Sequence, residues 1–468
     1  MKVFKNIFFA VICIFLFINI LSGQTISVKG SKYSGSSIKF AGHLGDNIYL
    51  EREVNTDENG NCLIFNKELS SGIYYLIFPD STSFELFYDE KYPGKISLSL
   101  NGNSMVITEA PAPTSNYAEY NTILSDIIVK QDSLRFHIRQ ADTKKKHKKS
   151  LELYRNYLTQ RKDSLTKAFL EEHKGEFLGV YMQSQVNITV PEFKPTKDIQ
   201  NQDSAKWAWR TSYYQKHYLD NVRLDDERLI RTPVYTAKVN TYLDKITLQK
   251  PENINASIDL VLSQADENPK TKSFLTDYIL TKYGKLKYSP IYEVAYLHTI
   301  ETYYLRNNAE WVSNNDIMKL SNEHTQLKPL IIGQVAPKID LYDINKNSTS
   351  LDSVNTEHII IYFFNTDCEH CKQTTRELKR LIAPYDSTFV EIFAVCVGDS
   401  DENCIQYIKE KNLVNWTCNV GDKKTNNIAL KYNLAYTPTI FLLNRDKTIL
   451  SKNLTVTQLS DILKSRKQ

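Results

Sequence analysis

The sequence predicts a multidomain protein: an N-terminal antiparallel β-sandwich-like domain, a middle all-α domain and a C-terminal α/β domain. Short apolar runs separated by turn formers occupy residues 24–110. Apolar residues at spacings of three and four occupy residues 115–325, and strands alternate with helices over residues 332–468. The length of 468 residues fits two or three domains, at roughly 150 residues per domain.

Residues 1–23 have the layout of a secretory signal peptide. Lys2 and Lys5 form a short positive region, and a nearly unbroken apolar stretch covers residues 7–21. This stretch is shorter than the ~20 residues that a membrane span needs, which favours cleavage after Gly23 over a retained anchor. We therefore expect export from the cytoplasm and no stable membrane span in the mature chain.

The charge of the chain gives no argument for a polyanionic partner. The net charge is +4, and Lys2 and Lys5 leave with the signal peptide. A nearly neutral chain lacks the positive field that attracts nucleic acid, so we expect no nucleic-acid partner. The lysine-rich run 144–149 is expected to be a solvated helix face rather than a binding patch.

Residues 24–110 predict strands joined by tight turns. Runs rich in β-branched and aromatic residues alternate with turn formers rich in Gly, Asn and Ser, as in an antiparallel sandwich. The predicted strands are 48–50, 62–65, 74–78 and 95–100. The sequence Ala-Pro-Ala-Pro at 110–113 is expected to form a stiff linker to the helical region.

The region 115–325 shows helical periodicity. Tyr117, Tyr120, Leu124 and Ile127 share one helical face, and we expect the tyrosines of this region to be packing residues. Further helices are predicted at 233–245, 258–265, 272–283 and 292–306. Neither this region nor the β-domain contains a paired acid, a nucleophile with a base, or a metal-ligand spacing that indicates an activity.

The last 137 residues, from 332 onward, alternate strands with helices. The run 358–364 is nearly all apolar, which is typical of a strand buried on both faces of a parallel sheet covered by helices. Further strands are predicted at 389–397 and 439–443, and helices at 401–411 and 456–465. This order predicts an α/β layer fold.

The motif Cys368-Glu369-His370-Cys371 follows the buried strand and precedes a predicted helix. Unpaired N–H groups and the helix dipole at this position favour a thiolate, the form of cysteine that attacks disulfides. The two-residue spacer places Cys371 one turn along the helix, where it can attack a mixed disulfide and release the product. His370 is expected to lower the pKa of Cys368 and Glu369 to raise it, so the sequence leaves the net shift open.

Half of a zinc site is the main alternative for a Cys-x-x-Cys pair. A zinc site needs two more ligands at suitable spacing, and the sequence contains no second pair of this kind. A static disulfide is a weaker alternative, because so short a loop constrains little chain. We therefore expect a redox pair with no metal and no cofactor.

The C-terminal residues resemble the thioredoxin superfamily. Within it, they are most similar to extracytoplasmic thiol–disulfide oxidoreductases of the TlpA/ResA-like kind, of the Bacteroidetes multidomain type. The likeness covers about residues 332–468: the entry segment 333–337, the strand before the cysteines, the cysteine motif itself, and the segment 436–443. A proline directly before a buried strand cannot donate a ladder hydrogen bond, and X-Pro bonds adopt cis most readily. The resemblance implies that the Thr437-Pro438 bond is cis and lies against the cysteine pair.

The resemblance also implies the activity. Cys368 and Cys371 would exchange disulfides in the periplasm, while Thr437 and Pro438 bind an extended segment of the substrate. The expected partners are cysteine-containing periplasmic proteins, whose disulfides are reduced, and a membrane thiol donor that recycles the pair.

The sequence departs from these families at two positions. Tyr362 stands where many thioredoxins carry a buried acid, and Thr374 where ResA-like proteins carry a glutamate. The nearest glutamate is Glu377, one helical turn further on, so the usual proton acceptor for Cys371 is not identifiable. The histidine before the second cysteine resembles the spacer of oxidising DsbA-like proteins, which leaves the direction of electron flow open.

Two other functions stay open. The missing acids and the large upstream region are compatible with a redox-inactive binding or scaffold protein. A peroxidase shares the entry segment, but peroxiredoxins place a lone peroxidatic cysteine after a Pro-x-x-x-Thr-like turn, which this sequence lacks.

The remaining cysteines have simpler interpretations. Cys396 lies in a predicted buried strand and is expected to be a packed thiol. Cys404 and Cys418 could be free or paired with each other, since the compartment is oxidising. Cys62 has no near partner in the sequence.

Overall fold

The computed structural model describes residues 24–466 apart from 67–68, 102–103, 141–144, 195–200, 308, 398–399, 414–415 and 421. The predicted signal peptide and the first lysine of the run 144–149 lie outside the described residues. Within them, no helix combines the length and the apolar character that crossing a membrane requires.

The chain divides by its internal contacts into two compact units. One contains the residues up to Thr247 together with Leu260–Lys272, and the other contains Leu248–Asp259 together with Ser273–Gln468. The division falls inside the region 115–325. The three-domain boundaries predicted from the sequence stay a prediction.

The first unit begins with two four-stranded sheets. Their strand orders are β4-β1-β7-β8 and β3-β2-β5-β6. The strands are β1 (Gln24–Lys29), β2 (Ser37–Leu44), β3 (Asn47–Asn55), β4 (Asn61–Asn66), β5 (Gly72–Ile77), β6 (Ser83–Tyr88), β7 (Lys95–Asn101) and β8 (Ser104–Glu109).

Both sheets contribute to one hydrophobic core. Val28 and Leu98 come from one sheet, Phe40 and Leu76 from the other, and all four side chains are fully buried. The predicted sandwich-like fold is therefore confirmed. One pairing differs from the prediction of an antiparallel domain, because β1 and β7 run parallel.

Helices follow the sandwich in the first unit. They are α1 (Ala112–Gln140), α2 (Lys145–Glu172), α3 (Phe177–Gln185), α4 (Gln202–His217) and α5 (Pro233–Thr241), which continues as a π-helical turn, Tyr242–Ile246. Phe87 of β6 lies against Tyr117 of α1 and Phe177 of α3, with ring centroids 5.4 and 5.0 Å away. Tyr117 is thus a packing residue, as predicted.

Four more helices complete the helical region. They are α6 (Pro251–Ser263), α7 (Pro269–Leu286), α8 (Pro290–Thr299), continued by a π-helical segment, Ile300–Arg306, and α9 (Asn314–Leu327). Proline begins α6, α7 and α8, where its missing N–H costs nothing and its fixed φ suits the first helical turn.

The C-terminal part of the second unit is built on a five-stranded sheet of order β13-β12-β11-β14-β15. A two-stranded hairpin, β9 (Asp340–Tyr342) and β10 (Ser348–Ser350), precedes it. The sheet strands are β11 (His358–Phe364), β12 (Val390–Cys396), β13 (Thr417–Asn419), β14 (Thr439–Asn444) and β15 (Ile449–Lys452). The helices are α10 (Glu369–Ile382), α11 (Asp401–Glu410), α12 (Asp422–Lys431) and α13 (Val456–Arg466).

Strand β11 lies at the centre of this sheet, and all seven of its residues are buried. Ile360, Tyr362 and Phe364 enter the core on one face, whereas Ile359 and Phe363 enter the core on the other. The predicted α/β fold is confirmed. The sheet is mixed rather than parallel, because β12 runs parallel to β11 and β14 runs antiparallel to it.

Candidate active site

Cys368 caps the helix that follows the central strand. Strand β11 ends at Phe364, three residues form a turn, and α10 begins at Glu369. Cys368 has extended backbone geometry, and its Sγ accepts a hydrogen bond from the backbone N–H of Cys371 at 3.2 Å. The sulfur therefore occupies the position in which a helix N-terminus stabilises negative charge.

The two cysteines of the motif have opposite environments. Both are reduced; Cys368 is partly exposed, and Cys371 is fully buried. Burial raises the pKa of Cys368, but hydrogen bonds from the Cys371 side chain and backbone, from Thr437 and from the backbone of His370 outweigh it and leave the pKa lowered. Burial raises the pKa of Cys371 to about 11. The accessible sulfur of the pair thus favours the thiolate form, whereas the buried sulfur favours the thiol form.

The segment before β14 closes the site from the other side. The Sγ of Cys368 donates a hydrogen bond to the carbonyl oxygen of Thr437 at 3.4 Å. The Thr437-Pro438 peptide bond is cis, as the resemblance implies. The structure thus brings together four of the predicted site residues, although they lie about 70 positions apart in the sequence.

A groove of about 470 Å³ adjoins the cysteine pair. Its lining includes His370, Thr374, Tyr436, Thr437, Pro438 and Leu454. Tyr436 is 52% exposed and presents an aromatic surface to the groove. The lining thus combines an imidazole, hydroxyl groups and apolar and aromatic surface.

The two spacer residues are both exposed. Glu369 forms an ion pair with Lys372 across 3.2 Å, and His370 supplies its backbone N–H to the Cys368 sulfur as well as lining the groove. Their predicted influence on the pKa of Cys368 through side-chain charge stays a prediction.

A cluster of hydroxyl groups lies beneath the first turn of α10, and the sequence did not predict it. The hydroxyl of Tyr362 donates to the Cys371 carbonyl at 2.9 Å, and the hydroxyl of Thr375 donates to the same oxygen at 2.8 Å. Tyr407 of α11 donates to the Thr375 hydroxyl at 3.1 Å. We call these three residues the hydroxyl cluster. The one sequence signal for it is a tyrosine at 362 in an otherwise apolar strand.

The prediction for Cys396 is wrong, and the alternatives left open for Cys404 and Cys418 are resolved. Cys396 is not a packed thiol but forms a disulfide with Cys404, eight residues further on. Cys418 is a buried free thiol, so the possible Cys404–Cys418 bridge does not form. The pairing follows from topology: Cys396 ends β12, and Cys404 lies in the first turns of α11, which returns over the same sheet face.

Among the residues described, no three or more His, Cys, Asp and Glu side chains are grouped so that they could hold a metal ion.

Comparison with known families agrees with this geometry. Residues 332–452 match the AhpC/TSA family. The C-terminal domain is thioredoxin-like. Residues 204–328, which include most of the helical region, match a domain of unknown function, DUF5106. No curated protein matches the chain significantly.

Solved structures give a weaker likeness to the chain. A thioredoxin-like protein from Bacteroides caccae is 19% identical, with a TM-score of 0.46, covering 60% of this chain and 99% of its own. A domain of a possible thiol-disulfide isomerase from Cytophaga hutchinsonii is 24% identical, with a TM-score of 0.28, covering 30% of this chain and 95% of its own. The thioredoxin domain of a thiol-disulfide oxidoreductase from Bacteroides vulgatus is 21% identical, with a TM-score of 0.27, covering 29% of this chain and 96% of its own.

Proposed function

We propose that the C-terminal domain of this protein is a thiol–disulfide oxidoreductase that reduces disulfides in partner proteins outside the cytoplasm. The observation that carries the proposal is the asymmetry of the pair. Cys368 is accessible with a lowered pKa, whereas Cys371 is buried with a raised pKa. A static disulfide or a pair of inert core thiols does not need this division.

The reaction follows from that asymmetry. The Cys368 thiolate attacks one sulfur of a partner disulfide, forms a mixed disulfide and releases the other sulfur as a thiolate. Cys371 then transfers its proton to the partner thiolate just released or to water and attacks the Cys368 sulfur, which frees the second partner sulfur as a thiolate. The pair ends as a disulfide, and the partner ends as two thiols.

The groove supports the proposal of a polypeptide substrate. An extended segment next to the partner cysteine would pair with the backbone at Thr437 and lie across Pro438 and Tyr436. We propose cysteine-containing periplasmic proteins as these partners and a membrane thiol donor as the source of electrons. The proposed location in the periplasm rests on the signal-like residues 1–23.

The test is a trapping experiment with the full chain. Cys371→Ser removes the resolving thiol, so partners should accumulate as mixed disulfides on Cys368 that dithiothreitol releases. The double variant Cys368→Ser/Cys371→Ser is the matched control, and it should trap nothing. A folded Cys371→Ser protein that captures no partner would favour the redox-inactive scaffold alternative.

The reduction potential of the Cys368/Cys371 pair decides the direction of electron flow. Equilibration with dithiothreitol buffers should give a value near the thioredoxin range of about −270 mV for a reductant. A value near about −120 mV, the DsbA range, would reverse the proposed direction while keeping the exchange reaction. The absence of any reversible couple would overturn the proposed function.

A further inference from the structure

The hydroxyl cluster joins three separate elements to one peptide group. Tyr362 comes from the centre of β11, Thr375 from α10 and Tyr407 from α11. The Tyr362 and Thr375 oxygens are 3.0 Å apart, so the hydroxyls contact one another as well as the Cys371 carbonyl. The Cys371 carbonyl therefore accepts hydrogen bonds from two side chains, Tyr362 and Thr375, and the Thr375 hydroxyl in turn accepts one from Tyr407.

The cluster is buried in an apolar core. Tyr362 and Thr375 are 0% and 1% exposed, and Tyr407 is 6% exposed. Phe364 stacks on Tyr362 at 5.3 Å and lies 5.5 Å from Tyr407, which leaves the two rings little freedom. Hydroxyl groups in such a place are costly unless each finds a partner, and here each does.

No carboxylate accompanies the hydroxyls. Of the Asp and Glu residues in 332–466 whose side chains the structure describes, none is buried. Burial raises the pKa values of Tyr362 and Tyr407, so both hydroxyls keep their protons and act as donors. The polar groups under Cys371 therefore hold atoms in place and do not act as a base.

We propose that Tyr362, Thr375 and Tyr407 are positioning residues for the resolving step, in which they hold the Cys371 peptide so that its sulfur is aligned with the Cys368 sulfur. This inference rests on the proposed function. Attack on a disulfide requires the three sulfurs to lie nearly in line, and a small displacement of the attacking atom lowers the rate steeply. The first step, in which Cys368 attacks, does not use the Cys371 sulfur as a nucleophile.

The two steps can be measured separately on the full chain with glutathione as the probe. Oxidised glutathione reacts with the Cys368 thiolate, forming a Cys368–glutathione disulfide and releasing one glutathione thiolate. The Cys371 thiolate then attacks the Cys368 sulfur, forms the intramolecular disulfide and releases the second glutathione. Acid quenching and mass spectrometry follow both steps, because the mixed disulfide is heavier by one glutathione.

Three variants remove one hydroxyl each: Tyr362→Phe, Thr375→Val and Tyr407→Phe. We call the second step, formation of the Cys368–Cys371 disulfide, closure. We expect Tyr362→Phe and Thr375→Val to slow closure about tenfold, and Tyr407→Phe to slow it about threefold. The rate of the first step, glutathionylation of Cys368, should change less than about twofold. Thr375→Ser keeps the hydroxyl and should restore closure to near the rate of the original chain.

Tyr432→Phe is the matched control for a buried tyrosine. Its hydroxyl also donates to a backbone carbonyl, that of Pro337, but its ring lies in the core on the opposite face of the sheet. In this control variant the Cys368–Cys371 disulfide should form at the unchanged rate, even if the variant's free energy of unfolding is lower.

The outcomes separate this inference from the proposed function. Closure at the unchanged rate in folded Tyr362→Phe and Thr375→Val would overturn the positioning role and leave the proposed function intact. Equal slowing of both steps would also overturn it, since the cluster would then only support the fold. If the unaltered chain never forms the glutathione disulfide, both the proposed function and this inference fail.

Discussion

Glu293 of α8 and Lys452 at the end of β15 form an ion pair whose side chains are only 4% and 5% exposed. Burial raises the pKa of Glu293, and the charge of Lys452 opposes that shift. Lys452 is also paired in the sheet with Phe441 of β14, the strand that begins directly after Pro438. The pair therefore connects the helical part of the second unit to the strand that follows the cis Thr437-Pro438 bond.

Breaking this pair should strongly destabilise the second unit. Glu293→Ala leaves the Lys452 ammonium buried without its partner, and the expected loss is about 3–5 kcal/mol of unfolding free energy. Native-state hydrogen exchange of the β14 and β15 amides measures that loss locally. The double variant Glu293→Met/Lys452→Met should recover most of it, because apolar side chains of similar volume remove both charges.

An exposed ion pair of the same unit is the control. Lys338 is 74% exposed and lies 3.2 Å from Asp352. Lys338→Ala should cost less than about 1 kcal/mol. A similar small loss in Glu293→Ala would show that Lys452 reaches solvent or another partner.

The two active-site thiols should react in a fixed order as the pH rises. A lowered pKa means that Cys368 is already a thiolate below the usual cysteine range of about 8.5, so alkylation there should begin at lower pH. Cys371, with a pKa of about 11, should react only in strongly alkaline solution. Peptide-resolved iodoacetamide labelling measures both, and buried Cys418, whose pKa burial raises to about 12, is an internal reference. Labelling of Cys371 before Cys368 would contradict the assignment of the nucleophile.

Peptide mapping under non-reducing conditions should find Cys396 linked to Cys404 and Cys418 free. The bond closes a loop of only eight residues, so Cys396→Ala/Cys404→Ala should lower the unfolding free energy by about 2–3 kcal/mol. Cys418→Ala is the control, and it should leave the linked peptide unchanged. A Cys404–Cys418 peptide would revive the pairing considered from the sequence.

Tyr436→Ala should weaken binding of protein substrates and spare the chemistry. The exposed ring lines the groove and is not one of the reacting thiols, so the KM for a disulfide-containing protein should rise several-fold while the reaction with glutathione is unchanged. Tyr342→Ala, an exposed tyrosine of the β9 hairpin, serves as the control. An equal effect of both substitutions would remove the groove from the proposed binding surface.

The elements that the sequence predicted share a strong local signal. The sequence predicts strand β11 because a continuous apolar run bounded by turn formers indicates a buried strand. It predicts the helix after Cys368 because the residues there have high helix propensity. Strand β13 and helix α12 were not predicted, since Thr417–Asn419 is short and Asp422–Lys431 is polar. In both cases the packing of the finished sheet outweighs a weak local preference.

Only those residues of the site that belong to short sequence motifs could be predicted from the sequence. Cys368, Cys371, Thr437 and Pro438 follow from motifs, whereas the hydroxyl cluster needs three residues from three elements. Thr375 is a routine helical residue in the sequence, and Tyr407 lies 32 positions away from it. The Cys396–Cys404 pair was misread for a related reason, because a cysteine in a buried strand is usually a packed thiol.

The Cys396–Cys404 disulfide lies in the same domain as the reduced Cys368 and Cys371 pair. Cys396 is the strand partner of Phe364, and it packs in the same hydrophobic core as Cys371. One small domain therefore contains one cysteine pair that is disulfide-bonded and one that is free. Under the proposed function, one pair stays oxidised and the other returns to its thiol form after every turnover. Cys396 and Cys404 are each 2% exposed, so a reductant that recharged Cys368 would meet no sulfur of the other pair. Burial in the folded core would thus protect the Cys396–Cys404 bond from reduction while the Cys368–Cys371 bond forms and breaks.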